Sequence, residues 1–300
     1  MDEIKITFLG TGDAIPTKKR SHSAILASFA NENILIDCGE GTQRQFKIAG
    51  LNYMKLTRIL ITHWHGDHIL GLPGLLQTLA LNNYSRTLHI YVPKGTRHHI
   101  DLIFKLFIFA GKIKYEVHEA SHGIIVNEKD FKIESAEMSH GTPANAYSII
   151  LKDRIKLDKK KLKKFKLPNS PLIGELASGK DIVFKGKKIR AAQVVYIDKG
   201  KKVTFVLDTS FNKNAIELAK NSDLLIAESS FAAEEIAKAQ EYRHLTAPQT
   251  AEIAKKSKSK KLILTHLSQR YEHNPRIIEK EAKKIFKNTK IAKDFDIIKF

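Results

Sequence analysis

The amino-acid sequence predicts an α/β fold: a four-layer αββα sandwich, the two sheets inside and helices outside, from which a basic arm protrudes. Three observations lead to this class. Short apolar runs rich in branched residues recur along the chain, as buried strands do. Segments with the apolar spacing of helices fall between several of these runs. The strands come in clusters with helices after each cluster, the order expected when helices cover the outer faces of two packed sheets.

The elements follow the chain in order, and together they predict one domain spanning residues 1–300. The predicted strands are Ile4–Leu9, Ala24–Phe29, Asn33–Ile36, Arg58–Thr62, Leu88–Val92, Phe131–Met138, Tyr147–Leu151, Val194–Ile197, Val203–Leu207, Leu224–Ala227 and Leu262–Thr265. The predicted helices are Gly41–Ala49, Pro73–Leu81, Thr96–Phe109, Asn212–Lys220, Ala247–Lys255 and Pro275–Phe286.

A lysine-rich segment, Lys152–Asp181, interrupts this alternation and is the predicted arm. Nine of the fifteen residues from Lys152 to Lys166 are Lys or Arg, and such a patch attracts polyanions by neutralising phosphates and releasing counterions. Asp158 is expected to open a short helix, whereas the prolines and glycines of Leu167–Gly179 predict a projecting loop or arm rather than a core element. A solvated helix face is the alternative. The residues expected to bind the polyanion are Lys152, Arg154, Lys156, Lys159, Lys160, Lys161, Lys163 and Lys164.

Composition excludes several classes of protein. The chain is long enough for a full hydrophobic core, and 42% of its residues are hydrophobic. No apolar run reaches membrane-spanning length, the longest candidate being the broken stretch Ile100–Ala110, and the first residues do not resemble a signal peptide. The single cysteine, Cys38, excludes an intramolecular disulfide framework and suits a reducing compartment, so we expect a cytoplasmic protein. The net charge of +19 favours an anionic partner.

The segment His63-Trp64-His65-Gly66-Asp67-His68 is the clearest sign of chemistry in the chain. It offers three imidazoles and one carboxylate, the donors that Zn²⁺ takes in hydrolytic sites. An apolar strand precedes it and a helical pattern follows it, so the donors lie in a strand-to-helix loop at the end of a sheet, where open α/β layers bind ligands. Clustered solvated histidines are the alternative. The sequence therefore predicts a metal loop.

Three further donors share a pattern with this loop, because each follows an apolar strand. They are His140, Asp208 and His266. Each alone has an ordinary explanation, since His and Asp are common at strand ends. Together with the loop they complete a set of seven donors, enough for two metals about 3.5–4 Å apart. Asp208 suits a shared position because a carboxylate has two oxygens.

These residues resemble the metallo-β-lactamase superfamily and, within it, the short form of the ribonuclease Z family of tRNA 3′-processing endonucleases, along nearly the whole chain. The superfamily resemblance lies in the seven donors. The family resemblance lies in several smaller motifs: Phe8–Arg20, Thr62–Leu76, His118–Ser121, Leu224–Phe231, Arg243–Thr250 and Thr265–Tyr271.

The resemblance implies two zinc ions per subunit. One would be held by His63, His65, His140 and Asp208, and the other by Asp67, His68, Asp208 and His266. It further implies a catalytic Asp67 that accepts a proton and a catalytic His244 that protonates the leaving oxygen, with Glu119 in the same neighbourhood. A helix cap is the alternative role for His244. Precursor tRNA is the implied substrate, clasped by the arm, and the implied assembly is a homodimer.

Two positions depart from the family pattern. The arm of the family turns through Gly-Pro, where this chain has Ser170-Pro171, and the family favours Asn after the first motif, where this chain has Ser21. Three rival functions stay open at this stage. A small-molecule phosphodiesterase or arylsulfatase would keep all seven donors without needing a basic arm, a thioester or lactone hydrolase would not use the positive charge, and an RNA-binding protein with a vestigial site would have lost donors.

Overall fold

The computed structural model describes residues 3–108, 113–168 and 170–300. Along this part of the chain the strands are β1 (Lys5–Gly10), β2 (Ala24–Phe29), β3 (Glu32–Ile36), β4 (Arg58–Leu60), β5 (Thr87–Pro93), β6 (Lys114–Ala120), β7 (Gly123–Asn127), β8 (Phe131–Ser139), β9 (Pro143–Leu151), β10 (Arg154–Leu157), β11 (Ile182–Phe184), β12 (Lys187–Ile189), β13 (Val195–Asp198), β14 (Lys202–Val206), β15 (Leu224–Glu228), β16 (Leu262–Thr265), β17 (Thr289–Ile291) and β18 (Ile297–Lys299).

The α-helices of the described residues are α1 (Thr42–Ile48), α2 (Gly66–Ile69), α3 (Leu72–Leu81), α4 (His98–Leu106), α5 (Lys159–Lys164), α6 (Pro171–Ala177), α7 (Ala191–Val194), α8 (Lys213–Leu218), α9 (Ile236–Tyr242), α10 (Ala247–Lys256) and α11 (Arg276–Ile285). Every predicted strand and helix is present, with ends that differ by a few residues. The predicted end of one helix at Phe109 lies outside the described residues. None of the described helices is long and apolar enough to cross a membrane.

Two seven-stranded sheets form the frame of the larger compact unit, Met1–Asn127, Ile133–Ile149 and Lys202–Phe300. The strand order is β18-β1-β2-β3-β4-β5-β6 in the first sheet and β17-β16-β15-β14-β9-β8-β7 in the second. Strands β3 to β6 are parallel to one another, as are β14 to β17. Their carboxyl ends therefore lie at one edge of each sheet, and open α/β sheets bind ligands at that edge.

Helices cover one face of each sheet through an apolar core. On the first sheet, Phe46 of α1, Leu75 of α3 and Ile100 of α4 pack with apolar residues of β1 to β5. On the second, Ala251 of α10 and Ile278 of α11 pack with residues of β8, β14, β15 and β16. Two outer helical layers over two sheets confirm the predicted αββα sandwich.

Polar groups join the two sheets beside the metal loop. The Tyr147 hydroxyl of β9 donates a hydrogen bond to the Ile61 carbonyl, just beyond β4 (2.7 Å). Asn145, also in β9, donates its backbone N–H to the Thr62 carbonyl (2.8 Å) and its side-chain amide to the Ala120 carbonyl (2.9 Å). Because all these side chains are buried, an unpaired partner would be costly, and the bonds hold the loop entrance to the second sheet.

Close backbone contact under the loop explains two glycines. The Gly71 amide donates to the Cys38 carbonyl (2.9 Å), and a Cβ at Gly71 would lie 2.0 Å from the Gly39 carbonyl oxygen. At Gly39 a Cβ would lie 2.4 Å from the Asp67 carbonyl oxygen. Only glycine permits this approach. The end of β3 is thereby pressed against α2, the helix that carries Asp67 and His68.

The second compact unit comprises Glu128–Lys132 and Ile150–Lys201, a longer stretch than the predicted arm. It contains the β10–β13 pair, the β11–β12 hairpin and its own apolar cluster around Leu176 and Val194. Asp158 caps α5, as predicted, by accepting hydrogen bonds from two backbone amides. Within the segment predicted as a projecting loop or arm, 167–179, residues Pro171–Ala177 form α6, a helix that was not predicted.

The position of Pro171 explains this helix. It stands at the start of α6, where its missing N–H costs nothing and its fixed φ angle favours a helix. Ser170-Pro171 is thus a helix start in this chain, with Ser170 at the N-cap position.

Candidate active site

The metal loop connects β4 to α2 and carries its donors on a short run of backbone. His63 and His68 are fully buried, Asp67 is 9% exposed, and His65 is exposed. His140 follows β8, Asp208 follows β14, and His266 follows β16. The larger unit brings all seven together: donor atoms of His63, His65, His140 and Asp208 form one group, and those of Asp67, His68, Asp208 and His266 form another, each within 4.8 Å.

In the first group, ring nitrogens surround one carboxylate oxygen. Nε2 of His140 lies 3.2 Å from Nδ1 of His65. Oδ2 of Asp208 lies 3.6 Å from Nε2 of His63 and 3.7 Å from Nε2 of His140. His63, His65 and His140 meet edge to face, with ring planes 71–81° apart, so their nitrogens converge rather than stack.

The donor atoms of the second group are as close to one another as those of the first group. Nε2 of His68 lies 3.1 Å from Oδ2 of Asp67, 3.4 Å from Oδ2 of Asp208 and 3.2 Å from Nε2 of His266. Nε2 of His266 lies 3.2 Å from both Oδ2 of Asp67 and Oδ1 of Asp208. Asp208 therefore presents one oxygen to His266 and the other to His68, His63 and His140.

These distances fit metal coordination. Tetrahedral nitrogen and oxygen ligands at about 2.0–2.2 Å from an ion are about 3.3–3.6 Å from one another, close to the separations of 3.1–3.7 Å in the two groups. Nε2 of His63 and Oδ1 of Asp208 are buried, and neither has a hydrogen-bond partner among the described residues. Such atoms are rare unless an ion or water satisfies them. The seven donors thus form a candidate centre for two metals.

Hydrogen bonds behind the rings leave the right nitrogen free to bind. Nδ1 of His68 donates to Oδ2 of Asp37 (2.6 Å), and Nδ1 of His140 donates to the Arg243 carbonyl (3.0 Å). Because Nδ1 carries the hydrogen, the lone pair of Nε2 faces the centre. Ser230 bonds Nδ1 of His266 (2.9 Å) while donating to Glu228 (2.7 Å), so it accepts from the histidine.

Asp37 is the buried support of the loop and was not predicted. Its carboxylate accepts from His68 and from both the backbone N–H (2.7 Å) and hydroxyl (2.8 Å) of Thr62. Burial raises the pKa of Asp37, against the opposing effect of His68 and Thr62. A signal was present, because Asp37 follows β3 as His140, Asp208 and His266 follow their strands.

The carboxylates make this centre favourable for positive charge. Burial alone would lower the pKa of His68 and His266, yet Asp208 and the neighbouring carboxylates raise both. The pKa of Asp208 is held well below its usual range, since His266 and His68 outweigh the effect of burial. The pKa of His63 is lowered, chiefly by burial and by His68. A dication supplies the charge that these carboxylates favour while leaving the rings neutral for ligation.

His244 lies beside the centre, paired with Glu228. Its Nδ1 is 3.1 Å from both carboxylate oxygens of Glu228 and 3.9 Å from Oδ2 of Asp208. Burial lowers the pKa of His244, but Glu228 and Asp208 raise it more, to about 9. The helix-cap alternative is wrong, because Thr246 occupies the N-cap of α10 with Gln249 completing a capping box.

Glu228 takes the place that was expected for Glu119. Glu119 is exposed and accepts hydrogen bonds from the backbone amides of Gly95 and Arg97. Glu228 is fully buried at the carboxyl end of β15, between the strands that precede Asp208 and His266. Its position at a strand end was the signal that sequence reasoning could have used.

An open cavity of about 400 Å³ leads to the donors. Asp67, His140, Asp208, His244 and His266 line its floor, and its walls include Phe231, Tyr242 and Arg270. The guanidinium of Arg270 lies over the ring of Phe231, 5.4 Å from its centroid. A phosphoryl group can thus approach the metal donors beside a cationic and aromatic wall.

The basic residues of the second unit differ in how they are engaged. The Lys152 ammonium donates to the Glu128 carbonyl, Arg154 pairs with Asp130, and Lys156 pairs with Asp198. The lysines of α5 are exposed, and of these Lys161 lies 4.0 Å from Asp158. Within the described part of the chain the other four, Lys159, Lys160, Lys163 and Lys164, make no ion pair.

Replacing Asp37 tests the support of the loop. We expect Asp37→Asn to lower metal affinity 10–100-fold, because the amide cannot accept from His68 and Thr62 together and the orientation of the His68 ring is lost. Competition with a chelating dye measures the affinity. Asp294→Asn is the matched control, since Asp294 is a largely buried carboxylate that bonds Thr11 and Ser21 instead. Equal affinity in both variants would contradict the assigned role.

The chain is similar to known proteins along most of its length. A family model described as anti-Pycsar protein Apyc1 matches residues 4–163, so this part of the chain belongs to that family as well. Ribonuclease Z of Archaeoglobus fulgidus is 40% identical over 97% of this chain and 96% of its own length. Ribonuclease Z of Methanothermobacter thermautotrophicus is 39% identical over 97% of this chain and 95% of its own length. Ribonuclease Z of Enterococcus faecalis is 37% identical over 98% of this chain and 97% of its own length.

Solved structures extend the comparison to the fold. The short form of human tRNase Z superimposes with a TM-score of 0.72 at 28% identity, covering 98% of both chains. A metallo-β-lactamase fold protein of Bacillus subtilis, YhfI, gives 0.72 at 22% identity over the whole of both chains, which shows the fold alone. With relatives of 37–40% identity along nearly their whole length, the protein belongs to the ribonuclease Z family.

Proposed function

We propose that the protein is a metal-dependent endoribonuclease that removes the 3′ trailer from precursor tRNA, leaving a 3′-hydroxyl on the tRNA and a 5′-phosphate on the trailer. The observation that carries this proposal is the near full-length similarity to ribonuclease Z in a chain that keeps all seven metal donors and the adjacent His244–Glu228 pair. A protein with a vestigial site would not keep the set complete.

The metals proposed are two Zn²⁺ per subunit. Imidazole nitrogen and carboxylate oxygen are donors that zinc prefers. His63, His65, His140 and Asp208 would hold one ion, and Asp67, His68, Asp208 and His266 the other. When bound, such a pair lowers the pKa of water toward neutrality and offsets negative charge on phosphoryl oxygens.

Asp67 and His244 are the proposed proton carriers. Burial raises the pKa of Asp67, but His68 and His266 lower it more, so the carboxylate is ionised and can accept a hydrogen bond from the attacking water, through which it would accept or relay the proton. His244 carries a proton at neutral pH because its pKa is raised to about 9. Its ring faces the cavity at the side of Asp208, where it can donate to the departing 3′-oxygen.

The basic face of α5 is the proposed contact with the tRNA body. Four of its lysines have no ion-pair partner among the described residues, so their charge is available to phosphates. Lys152, Arg154 and Lys156 are proposed as weaker contributors because each also bonds to a neighbour. We further propose that residues 1–300 act as one domain with residues 152–181 as its tRNA-binding arm, that the enzyme is a homodimer, and that it works in the cytoplasm.

Mapping the cleavage position tests the proposed activity. We expect a precursor tRNA to be cut once at the base of its trailer, giving a trailer with a 5′-phosphate, and chelation followed by zinc addition to abolish and restore the cut. Sequencing of both fragments and phosphatase treatment of the trailer are the measurements. Running precursors with and without an encoded CCA end shows how that end is handled. Cleavage only of small phosphodiesters would favour the small-molecule phosphodiesterase instead.

Neutralising α5 tests the tRNA contact. In a variant with Lys159, Lys160, Lys163 and Lys164 changed to Gln, we expect a raised KM for precursor tRNA, because fewer phosphates of the tRNA are neutralised. The slope of the logarithm of the binding constant against the logarithm of salt concentration should become smaller by about one for each lysine that no longer contacts a phosphate. Hydrolysis of bis(p-nitrophenyl) phosphate should be unchanged, since it needs only the centre.

The control for this variant removes the same charge elsewhere. Lys280, Lys284, Lys287 and Lys290 are exposed lysines of α11 and the segment after it, and their change to Gln should leave the KM for tRNA near that of the parent. Equal losses in the two variants, or an equal loss on both substrates, would contradict a binding role for α5.

Changes at His244 and Glu228 test proton donation. His244→Ala should lower kcat on precursor tRNA by about 10²–10⁴-fold with little change in affinity, because general acid catalysis is lost while the binding surface stays. Glu228→Gln should move the alkaline limb of the kcat profile to lower pH, since the Glu228 charge raises the pKa of His244. The control is His98→Ala, an exposed residue of α4. An unmoved limb in Glu228→Gln would rule out this pair as the acid.

A further inference from the structure

A second group of metal-binding side chains lies on β5 and β6, away from the donors already described. The parallel register places His89 opposite Glu116 and Tyr91 opposite His118. Because side chains alternate along a strand, His89, Glu116 and His118 share one face. The opposite face carries Leu88, Ile90 and Val92, which pack into the core under the outer helices.

The donor atoms of this group are as close as those of the main centre. Nδ1 of His89 lies 3.2 Å from Nε2 of His118. The Oε2 atom of Glu116 lies 3.4 Å from the first nitrogen and 3.6 Å from the second. The three distances are close to the edges of a zinc tetrahedron, which are about 3.3–3.6 Å long.

Hydrogen bonding explains only part of this geometry. A single N–H can join the two rings at 3.2 Å, but the carboxylate oxygen is farther from both nitrogens than an N–H···O bond, which spans about 2.7–3.2 Å. The oxygen thus stands at ligand-to-ligand distance. The side chains of His89, His118 and Glu116 are 31, 37 and 58% exposed, so a hydrated ion can reach them and keep water as a fourth ligand.

This group is separate from the main centre. None of its three donors belongs to the two groups of the candidate active site. His89 pairs with Arg58, which precedes His63 by five residues, about 16 Å along an extended strand. His89 is therefore level with the start of β4, whereas the metal loop follows the end of β4.

Charged groups near this cluster affect how strongly it can bind a cation. Burial and His89 lower the pKa of His118, as do the cations Arg97 and Arg58, while Glu116 raises it. Arg58 is paired with Glu32, which offsets its charge. Arg97 is a nearby cation that we expect to weaken the binding of a metal ion.

We propose that His89, Glu116 and His118 bind one further divalent transition metal ion of the zinc class, with water completing the coordination. Two imidazoles and one carboxylate suit Zn²⁺ and Co²⁺ better than Mg²⁺ or Ca²⁺, which prefer oxygen ligands. The ion would clamp β6, the last strand of the first sheet in the described residues, to β5. Its role is therefore structural and not part of phosphodiester cleavage.

Zinc stoichiometry tests this proposal on the full chain. At dialysis equilibrium with zinc buffered at about 10 µM free, elemental analysis of the protein side, less the zinc on the protein-free side, should find one zinc fewer per chain in H89Q/H118Q than in the parent protein. The rise in Tm that zinc causes should be smaller in H89Q/H118Q than in the parent protein, while cleavage of precursor tRNA should be the same in both. The matched control is His122→Gln, an exposed histidine in the turn after β6, which should keep the parent zinc content.

One more variant and a folding check distinguish loss of the metal site from loss of the fold. Glu116→Gln removes one ligand at an exposed position and should weaken the extra site at least 10-fold without affecting folding. Circular dichroism of the zinc-free proteins checks that each variant folds. Equal zinc content in parent and H89Q/H118Q, or an equal loss in His122→Gln, overturns the proposal. Because the measurement is a difference between variants that share the main centre, it stands whether or not the proposed tRNA cleavage is correct.

Discussion

The Asp208 carboxylate is the group around which the rest of the site is arranged. Its two oxygens lie 3.2–3.9 Å from nitrogens of five imidazoles: those of His63, His68, His140, His244 and His266. A buried carboxylate is costly unless positive charge and donors surround it. Strand ends from both sheets supply these groups, and one residue thereby connects the candidate metal donors to the His244–Glu228 pair.

The fold contributes rigidity more than chemistry. Buried hydrogen bonds from Tyr147 and Asn145 hold the metal loop to the second sheet, and Asp37 holds His68 and Thr62 from behind. The bond from Asp37 decides which nitrogen of His68 keeps its lone pair, and the bonds from Tyr147 and Asn145 fix the backbone at the start of the loop. Tyr147 and Asn145 belong to β9, and Asp37 is the first residue after β3. The donors are therefore held in place by the sheets, which are rigid.

The sequence predicted the central elements because they are apolar and regular. Buried strands such as β2 and β16 have clear patterns, whereas β6, Lys114-Tyr-Glu-Val-His-Glu-Ala120, lies at a sheet edge and mixes charges with apolar residues. The helix α6 was not predicted because proline usually breaks a helix, whereas Pro171 begins this one. The strand-end rule found His140, Asp208 and His266, and applied consistently it would also have found Asp37 and Glu228.

The sequence by itself predicted the seven candidate donors and a metal centre, because three imidazoles and a carboxylate within six residues are typical of a metal loop. Only the tertiary structure decided the partners. In the folded chain His244 pairs with Glu228, and Glu119 accepts hydrogen bonds from the backbone amides of Gly95 and Arg97. His89 lies next to Glu116 and His118. The physical reason is distance along the chain: which carboxylate reaches which ring depends on strand order and register, and no local pattern records either.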